Sequence, residues 1–479
     1  MKSAGTGGLA ILAGAAVAGG AVALPGAAVV APSAGVVAPS VTAAALASVP
    51  GDGAPGAPDT PAVGVLPAQA APAATAPAQP PSPAAQSAAA PQGQTRWLDP
   101  ANAPFIPIPE IDTDPQSGLT IGLLAVILRT NERDEITRII APDIIDSQYF
   151  GWGARMRVFG YPSDDTQWSV VGGAKERVER EFDGVYLDGQ TRTEAFSWSV
   201  ETIYDRSGTP RFFGIGNESS YRNQTTYVNN QGSLAVSVGR NFTPTLQLSY
   251  IARLRDVDVL PGVLSGVPSI ETVFPGLPGI GNEHELQNTL ELTGDTRDSA
   301  LIPQSGGRYI VYGGLASHAL ASSVSYSYFG AEARQYFHLS SDVTLACHAA
   351  ARYMPSAADA PFWALSSLGG DLSVTNEREP LRSEGADRYM DRNLFAAGAE
   401  LRTRIADFQA LGTHVNLELA PFLDAGKVFA DMGASPFTHL HTAPGFGVRG
   451  VASPFIVGYV DVGFGHGQPV VFSGINYPF

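Results

Sequence analysis

The stretch Thr245–Arg255 reads TLQLSYIARLR. Leu246, Leu248, Tyr250, Ala252 and Leu254 share one face at period two, while Thr245, Gln247, Ser249, Arg253 and Arg255 hold most of the other. In an extended backbone successive side chains point to opposite faces, so this run forms a strand with one apolar and one polar side. The alternation recurs. Val324, Tyr326 and Tyr328 oppose Ser323, Ser325 and Ser327; Val415, Leu417 and Leu419 oppose Asn416, Glu418 and, further along, Asp424. From Trp97 to Phe479 no 3.6-residue periodicity competes with it, and Gly, Pro, Asp and Asn mark the breaks. This part of the chain is expected to be all-β.

A soluble sandwich alternates in the same way. Three features point instead to a transmembrane antiparallel β-barrel. The chain opens like a secreted protein, it ends on an aromatic residue, and its last ~380 residues divide into about sixteen strands at roughly 24 residues per strand and loop, an even number suited to an outer-membrane barrel. Hydrocarbon offers no water to unpaired backbone groups, so strands cross it only as a closed barrel, apolar face on lipid and polar face on a lumen. The ending FSGINYPF places Gly474 ahead of Tyr477 and Phe479. It is similar to the C-terminal assembly signal of such barrels, an aromatic–x–aromatic end captured by strand addition. Pro478 departs from that pattern by removing a ladder donor, which the end of a strand tolerates.

The chain has 479 residues, 53 of them Gly and 37 Pro, and a net charge of −16. MKSAGTGGLAILAGAAVAGGAVALPGAA sets Lys2 before a diluted apolar run and then small residues, which fits a signal peptide over residues 1–28. A retained anchor is the competing reading, but the run is short and poor in Leu, Ile and Phe. Residues 29–95 are mostly Ala, Pro, Gly, Val and Ser, a composition that cannot bury enough to offset its ordering entropy, and they read as a low-complexity linker. Residues 96–479 then form the barrel. No folded soluble domain is expected ahead of it.

Several function classes are disfavoured. Basic clusters with stacking aromatics are missing, so nucleic acid is not an expected partner. The lone Cys347 excludes an intramolecular disulfide and a paired-cysteine metal site. His439 and His441 come closest to a ligand pair but have no third ligand near in sequence, so neither a metal nor another cofactor is expected. No G-x-S-x-G elbow or triad spacing is found, so the chain does not read as an enzyme and offers no catalytic residue. KERVEREFDG (Lys175–Gly184) reads as a solvated hairpin, and Asp256–Glu285, rich in Pro and Gly, as a large external loop or a cover over the barrel.

Leu381–Asn393, LRSEGADRYMDRN, packs unusual charge between strand-like segments. With the preceding FWALSSLGG it resembles the sixth extracellular loop of the bacterial surface-antigen superfamily of outer-membrane barrels, to which BamA, TamA and the two-partner-secretion transporters belong. That family's pattern runs P-F-x-x-L-x-x-L-G-G, then L-R-G-aromatic, then R-F-x-D-R-N. Pro361, Phe362, Leu365, Leu368, Gly369 and Gly370 match the first block, Leu381 and Arg382 the second, and Arg388, Tyr389, Asp391, Arg392 and Asn393 the third. Ser383 and Glu384 stand where the family has Gly and an aromatic. Asp295, Arg297, Asp298, Pro303 and Gly306 match its D-x-R-D…P-x-x-G block, and Phe422, Asp424 and Gly426 its F-x-D-x-G strand motif. The closing PGFGVRGVASPFIVGYVDVGFGHG is similar to its penultimate hairpin. The likeness is strongest over residues 290–479.

The resemblance implies that the loop folds back into the lumen, its arginine meeting the Asp and Phe of the strand motif. Parity with Asn416 and Glu418 points Asp424 inward, so a bidentate Arg382–Asp424 contact backed by a cation–π contact to Phe422 is expected. Glu384 is expected to add an ionic contact to Arg388 or Arg392. The resemblance further implies an outer-membrane monomer surrounded by lipid, inserted by the barrel assembly machinery and handling a polypeptide client in membrane assembly or translocation. A passive porin-like or structural barrel that keeps the loop only for stability is the alternative.

Overall fold

The computed structural model describes residues 106–479 apart from 115–117, 132–135, 164, 301, 411–412, 432, 434, 436, 453–455, 466, 468 and 476. The expected signal peptide and linker lie outside the described residues. A 19-stranded sheet runs through the rest, one member being the two-residue piece Arg211–Phe212. The other eighteen form a meander. They begin with β1 (Ile106–Asp114), β2 (Gly118–Thr130), β3 (Ile136–Ser147), β4 (Gly151–Gly160), β5 (Thr166–Lys175) and β6 (Arg180–Asp188). Next come β7 (Phe196–Ser207), β8 (Thr225–Thr243), β9 (Leu246–Pro261), β10 (Gly281–Asp295), β11 (Gly306–Ala316), β12 (Ser325–Ser340) and β13 (Val343–Asp359). After a long loop follow β14 (Asn393–Ala410), β15 (Thr413–Phe429), β16 (His441–Ala452), β17 (Ile456–Gly463) and β18 (Val470–Ile475).

Each strand pairs antiparallel with its sequence neighbour. β1 and β18 come back beside each other, but no ladder joins them among the described residues. The expected sixteen strands are therefore a miscount. A period of 24 residues does not hold at the start, where short hairpins fit six strands between Ile106 and Asp188. Five strands follow the 360–392 loop, so the extra hairpin lies ahead of it and the loop is the seventh on its rim rather than the sixth. Long connections (208–224, 262–280, 360–392) share that rim, while opposite turns are as short as residues 244–245 and 341–342.

The faces are inverted relative to a water-soluble core. On β9, Leu246, Tyr250 and Leu254 are 37, 44 and 51% exposed, while Ser249, Arg253 and Arg255 are only 5, 7 and 9% exposed. Polar side chains inside and large apolar ones outside are the arrangement a lipid-facing sheet requires. β12 departs from the expected parity. Tyr326 and Tyr328 point inward and are buried with Phe212, Ile270, Tyr312 and Phe362. The reason is local: loops fold over this end of the sheet, and the phenols are satisfied there, Tyr326 by Glu285 at 2.5 Å and Tyr328 by Thr289 at 2.8 Å. Part of the expected external loop Asp256–Glu285 is strand, since β9 runs to Pro261 and β10 starts at Gly281. The remainder, 262–280, covers the lumen, with the Pro278 carbonyl accepting the Phe362 N–H at 3.0 Å.

Candidate functional site

The 360–392 loop descends inside the sheet and folds on itself as a three-stranded patch of Ser366–Leu368, Arg378–Glu379 and Tyr389–Asp391. Side chains from the wall hold it. On β13, Arg352 donates to Asn376 Oδ1 at 3.2 Å, Ser366 Oγ at 3.0 Å and the Ala364 carbonyl at 3.1 Å. On β9, Arg253 donates to Glu377 at 2.8 Å; on β12, Glu332 accepts from Thr375 at 2.7 Å. Much of the loop's polar surface is thus matched by the wall rather than solvated.

Arg382 sits at the centre, fully buried. Its Nε and Nη2 donate to the two oxygens of Asp424, each at 2.8 Å, and its backbone N–H adds a third bond at 3.1 Å. Its Cζ lies 3.4 Å from the centre of the Phe422 ring. A side chain at Gly426 would stand 2.9 Å from Leu368, so the glycine gives the loop room to pack. Gly463 does the same on β17, where an added Cβ would overlap the Arg382 carbonyl.

Sequence reasoning missed most of the cluster. Arg382 Nη1 also donates to Glu400 at 2.8 Å and Asp461 at 2.9 Å. Arg449 bridges the same two carboxylates, and Arg402 donates to Glu400 at 3.0 Å. Three arginines and three carboxylates from the loop, β14, β15, β16 and β17 therefore balance in one buried group. The available signal was parity: Glu400 and Arg402 share the inward side of β14, and Arg449 and Asp461 are the charges on the inward sides of β16 and β17.

The loop-motif residues divide. Leu381 is fully buried against Leu368, Tyr389, Leu394 and Val428. Arg388 donates to the Ser219 carbonyl at 2.7 Å and lies between the rings of Phe213, Tyr221 and Tyr389. Tyr389 stacks on His441 with ring centres 3.9 Å apart. Asn393 joins neighbouring strands, donating to the Phe429 carbonyl at 2.9 Å and accepting the Met354 N–H at 3.0 Å. Asp391 accepts only the adjacent Arg392 N–H among the described contacts, at 2.7 Å, and Arg392 itself is exposed.

Glu384 reaches Arg388, Nε to Oε2 at 3.8 Å, and accepts from the Tyr221 hydroxyl. Tyr221 comes from the 208–224 connection, where burial and then Glu384 raise its phenol above the ordinary range. A tyrosine from another loop therefore stands beside the position at which the resembled pattern carries its own aromatic.

At the chain end, Gly474 lies in β18 opposite Tyr459. β18 stops at Ile475, and beyond it the Tyr477 ring lies on Arg402 and the Phe479 ring stacks on His348.

Residues 175–455 match the model of the Omp85 superfamily domain. Comparison with curated protein sequences gave no match. Among solved structures, BamA from Haemophilus ducreyi lacking POTRA domains 1–3 aligns at 11% identity over 74% of this chain and 74% of that one, with a TM-score of 0.47. CdiB from Acinetobacter baumannii aligns at 11% identity over 78% of this chain and 59% of that one, with a TM-score of 0.39. With the matched domain covering more than half of its residues, the chain belongs to the Omp85 superfamily, whose barrels reside in outer membranes.

Proposed function

We propose that this barrel acts on polypeptides at the outer membrane, either inserting other barrels or passing chains across. The observation that carries this reading is the seam: β18 contributes only six residues, and no ladder ties it to β1 among the described residues. A sheet edge left unpaired can accept a strand from another chain, and a seam held by few bonds opens at lower cost than any other place in the ring. Lipid, a polypeptide client and, during biogenesis, the barrel assembly machinery are the partners this reading entails, with the barrel acting as a monomer. Proteins of this superfamily are generally not enzymes, and no reaction is assigned.

In the same reading the Arg382 cluster is a lock that fixes the loop to the wall while the seam works. A passive pore is disfavoured by the loop-filled lumen, where the wall arginines bind the loop rather than line a channel. Depletion of the protein, followed by quantification of the outer-membrane protein complement, tests the proposal. Coordinate loss of other barrels or exported chains is expected; an unchanged complement would refute it.

A further inference from the structure

Between the docked loop and the wall lies a cavity that neither the Arg382 cluster nor the seam uses. Its volume is about 190 Å³. With one water needing about 10–15 Å³ on that measure, it holds roughly a dozen, close to the heavy-atom count of one hexose. β8 walls it with Tyr227, Asn229 and Gln231, and the loop closes the other side from Trp363 to Asp387. Tyr227 lies opposite Pro261, so the cavity sits toward the rim that carries the long connections.

The polar groups that line it are held in place and keep bonding capacity to spare. Arg255 is fixed on Glu285 at 2.9 and 2.7 Å and lies over the Trp363 ring, its Cζ 4.5 Å from the ring centre. Glu377 Oε1 accepts from Arg253 at 2.8 Å, and Asp387 Oδ1 accepts from Ser367 at 2.6 Å, which leaves each carboxylate a second oxygen. The Arg378 side chain donates no hydrogen bond among the described residues and meets Asp387 only at 3.8 Å. The side-chain amides of Asn229 and Gln231 are without a hydrogen-bond partner among the described residues as well.

This lining selects a chemical class. Arg255 and Arg378 stand against Glu377 and Asp387, so the signs balance and an ionic ligand would bring in an uncompensated charge at a desolvation cost. A hydroxyl both donates and accepts, and it suits an amide, a guanidinium or a half-used carboxylate equally well. Val257, Leu365 and Met390, beside Trp363, add apolar surface for C–H groups. We propose that the cavity is a saccharide site: it takes one neutral sugar ring, with hydroxyls on Asn229, Gln231, Glu377 and Arg378 and C–H groups against Trp363. The proposal concerns binding and stands apart from the handling of polypeptides.

The test is saturation-transfer NMR on the full chain refolded into lauryldimethylamine oxide, a detergent that carries no sugar. D-glucose, D-galactose and N-acetyl-D-glucosamine are the probes, with acetate and ethylammonium as charged controls. Saturable transfer to a sugar, little to the controls, and about tenfold weaker affinity in Gln231→Leu are expected. Three results overturn the proposal: no saturable transfer to any of the sugars from protein that shows the heat-dependent gel shift of a folded barrel, stronger transfer to a charged control, or unchanged affinity in the variant. Equal affinity for the methyl glycoside would support a ring attached to a lipid or a longer chain, and its loss would support a free sugar. Should Gln231→Leu fail to fold, a diazirine-bearing form of the bound sugar decides the location on the unaltered protein. Adducts within residues 227–231 or 363–387 support the cavity, and adducts only elsewhere refute it.

Discussion

Arg382 serves three carboxylates, and each depends on it differently. Asp424 receives two side-chain bonds and one backbone bond from the loop arginine alone, whereas Glu400 and Asp461 are shared with Arg449. Arg382→Ala leaves three buried carboxylates against two arginines, and stranding a buried charge costs on the order of 3–5 kcal/mol. The expected outcome is a lower temperature for conversion of the compact gel band to the unfolded one. Arg382→Lys should recover little of the loss, since an ammonium cannot span Asp424 in a fork and still reach the other two groups. Unchanged conversion temperatures in both variants would show that the cluster does not lock the loop. At Tyr221 the expected effects are graded. Tyr221→Phe removes one bond to Glu384, worth about 1.5–3 kcal/mol, whereas Tyr221→Ala also removes a ring from the Arg388 stack. Limited proteolysis between residues 371 and 388 should accordingly rise slightly in the first variant and strongly in the second.

Among the elements, the long loop and the wall are shaped to each other by what is left out as much as by what is present. Gly463 admits the Arg382 carbonyl against β17, so Gly463→Val should expel the loop from its seat. Combined with Arg382→Ala it should add little further destabilisation, because both changes break the same docked state and neighbouring effects are not additive. Fully additive melting losses in the double variant would mean that the glycine and the arginine serve separate purposes. This shared origin also explains what the sequence reveals. Period-two alternation on β9 and β15 is a property of one strand, so the outward Leu254 and the inward Asp424 follow from parity alone. Arg382 opposite Asp424 needed the resemblance as well, because nothing local states how a loop will fold back. Glu400, Arg449 and Asp461 were within reach of the same parity argument, but only the register of the four neighbouring strands β14–β17 and the docked loop bring them around one point. Tyr326 and Tyr328 went the other way: their alternation was visible, but its direction depended on loops covering that end of the lumen. The short hairpins of β1–β6 hid the extra pair of strands for a related reason, since a mean period carries no information about where strands shorten.

Across the whole molecule, two demands meet in one sheet: the wall must be continuous enough to exclude lipid, yet β1 and β18 lie beside each other with no ladder between them among the described residues. The loop, the 262–280 cover and the 208–224 connection pack together against the inner face of the sheet, and Arg253, Arg352 and the Arg382 cluster tie the loop to the wall. A filled lumen makes a specific electrical prediction. Intact protein in a planar bilayer should show no steady open conductance, because ions would have to displace side chains bound by Arg253, Arg352 and the Arg382 cluster. Replacing residues 361–391 with a short Gly/Ser linker keeps every strand of the sheet and removes the occluding segment, so steady conductance should appear in that variant. Flexible linkers of this kind reach far without adding a structure of their own, so a folded but leaky barrel is the expected product. Raising the salt should not open the intact protein, since buried pairs are screened far less than exposed ones. A constant open current from the intact protein, unaffected by the replacement, would mean that the loop does not close the lumen, and the polypeptide-handling role would then give way to that of a passive pore.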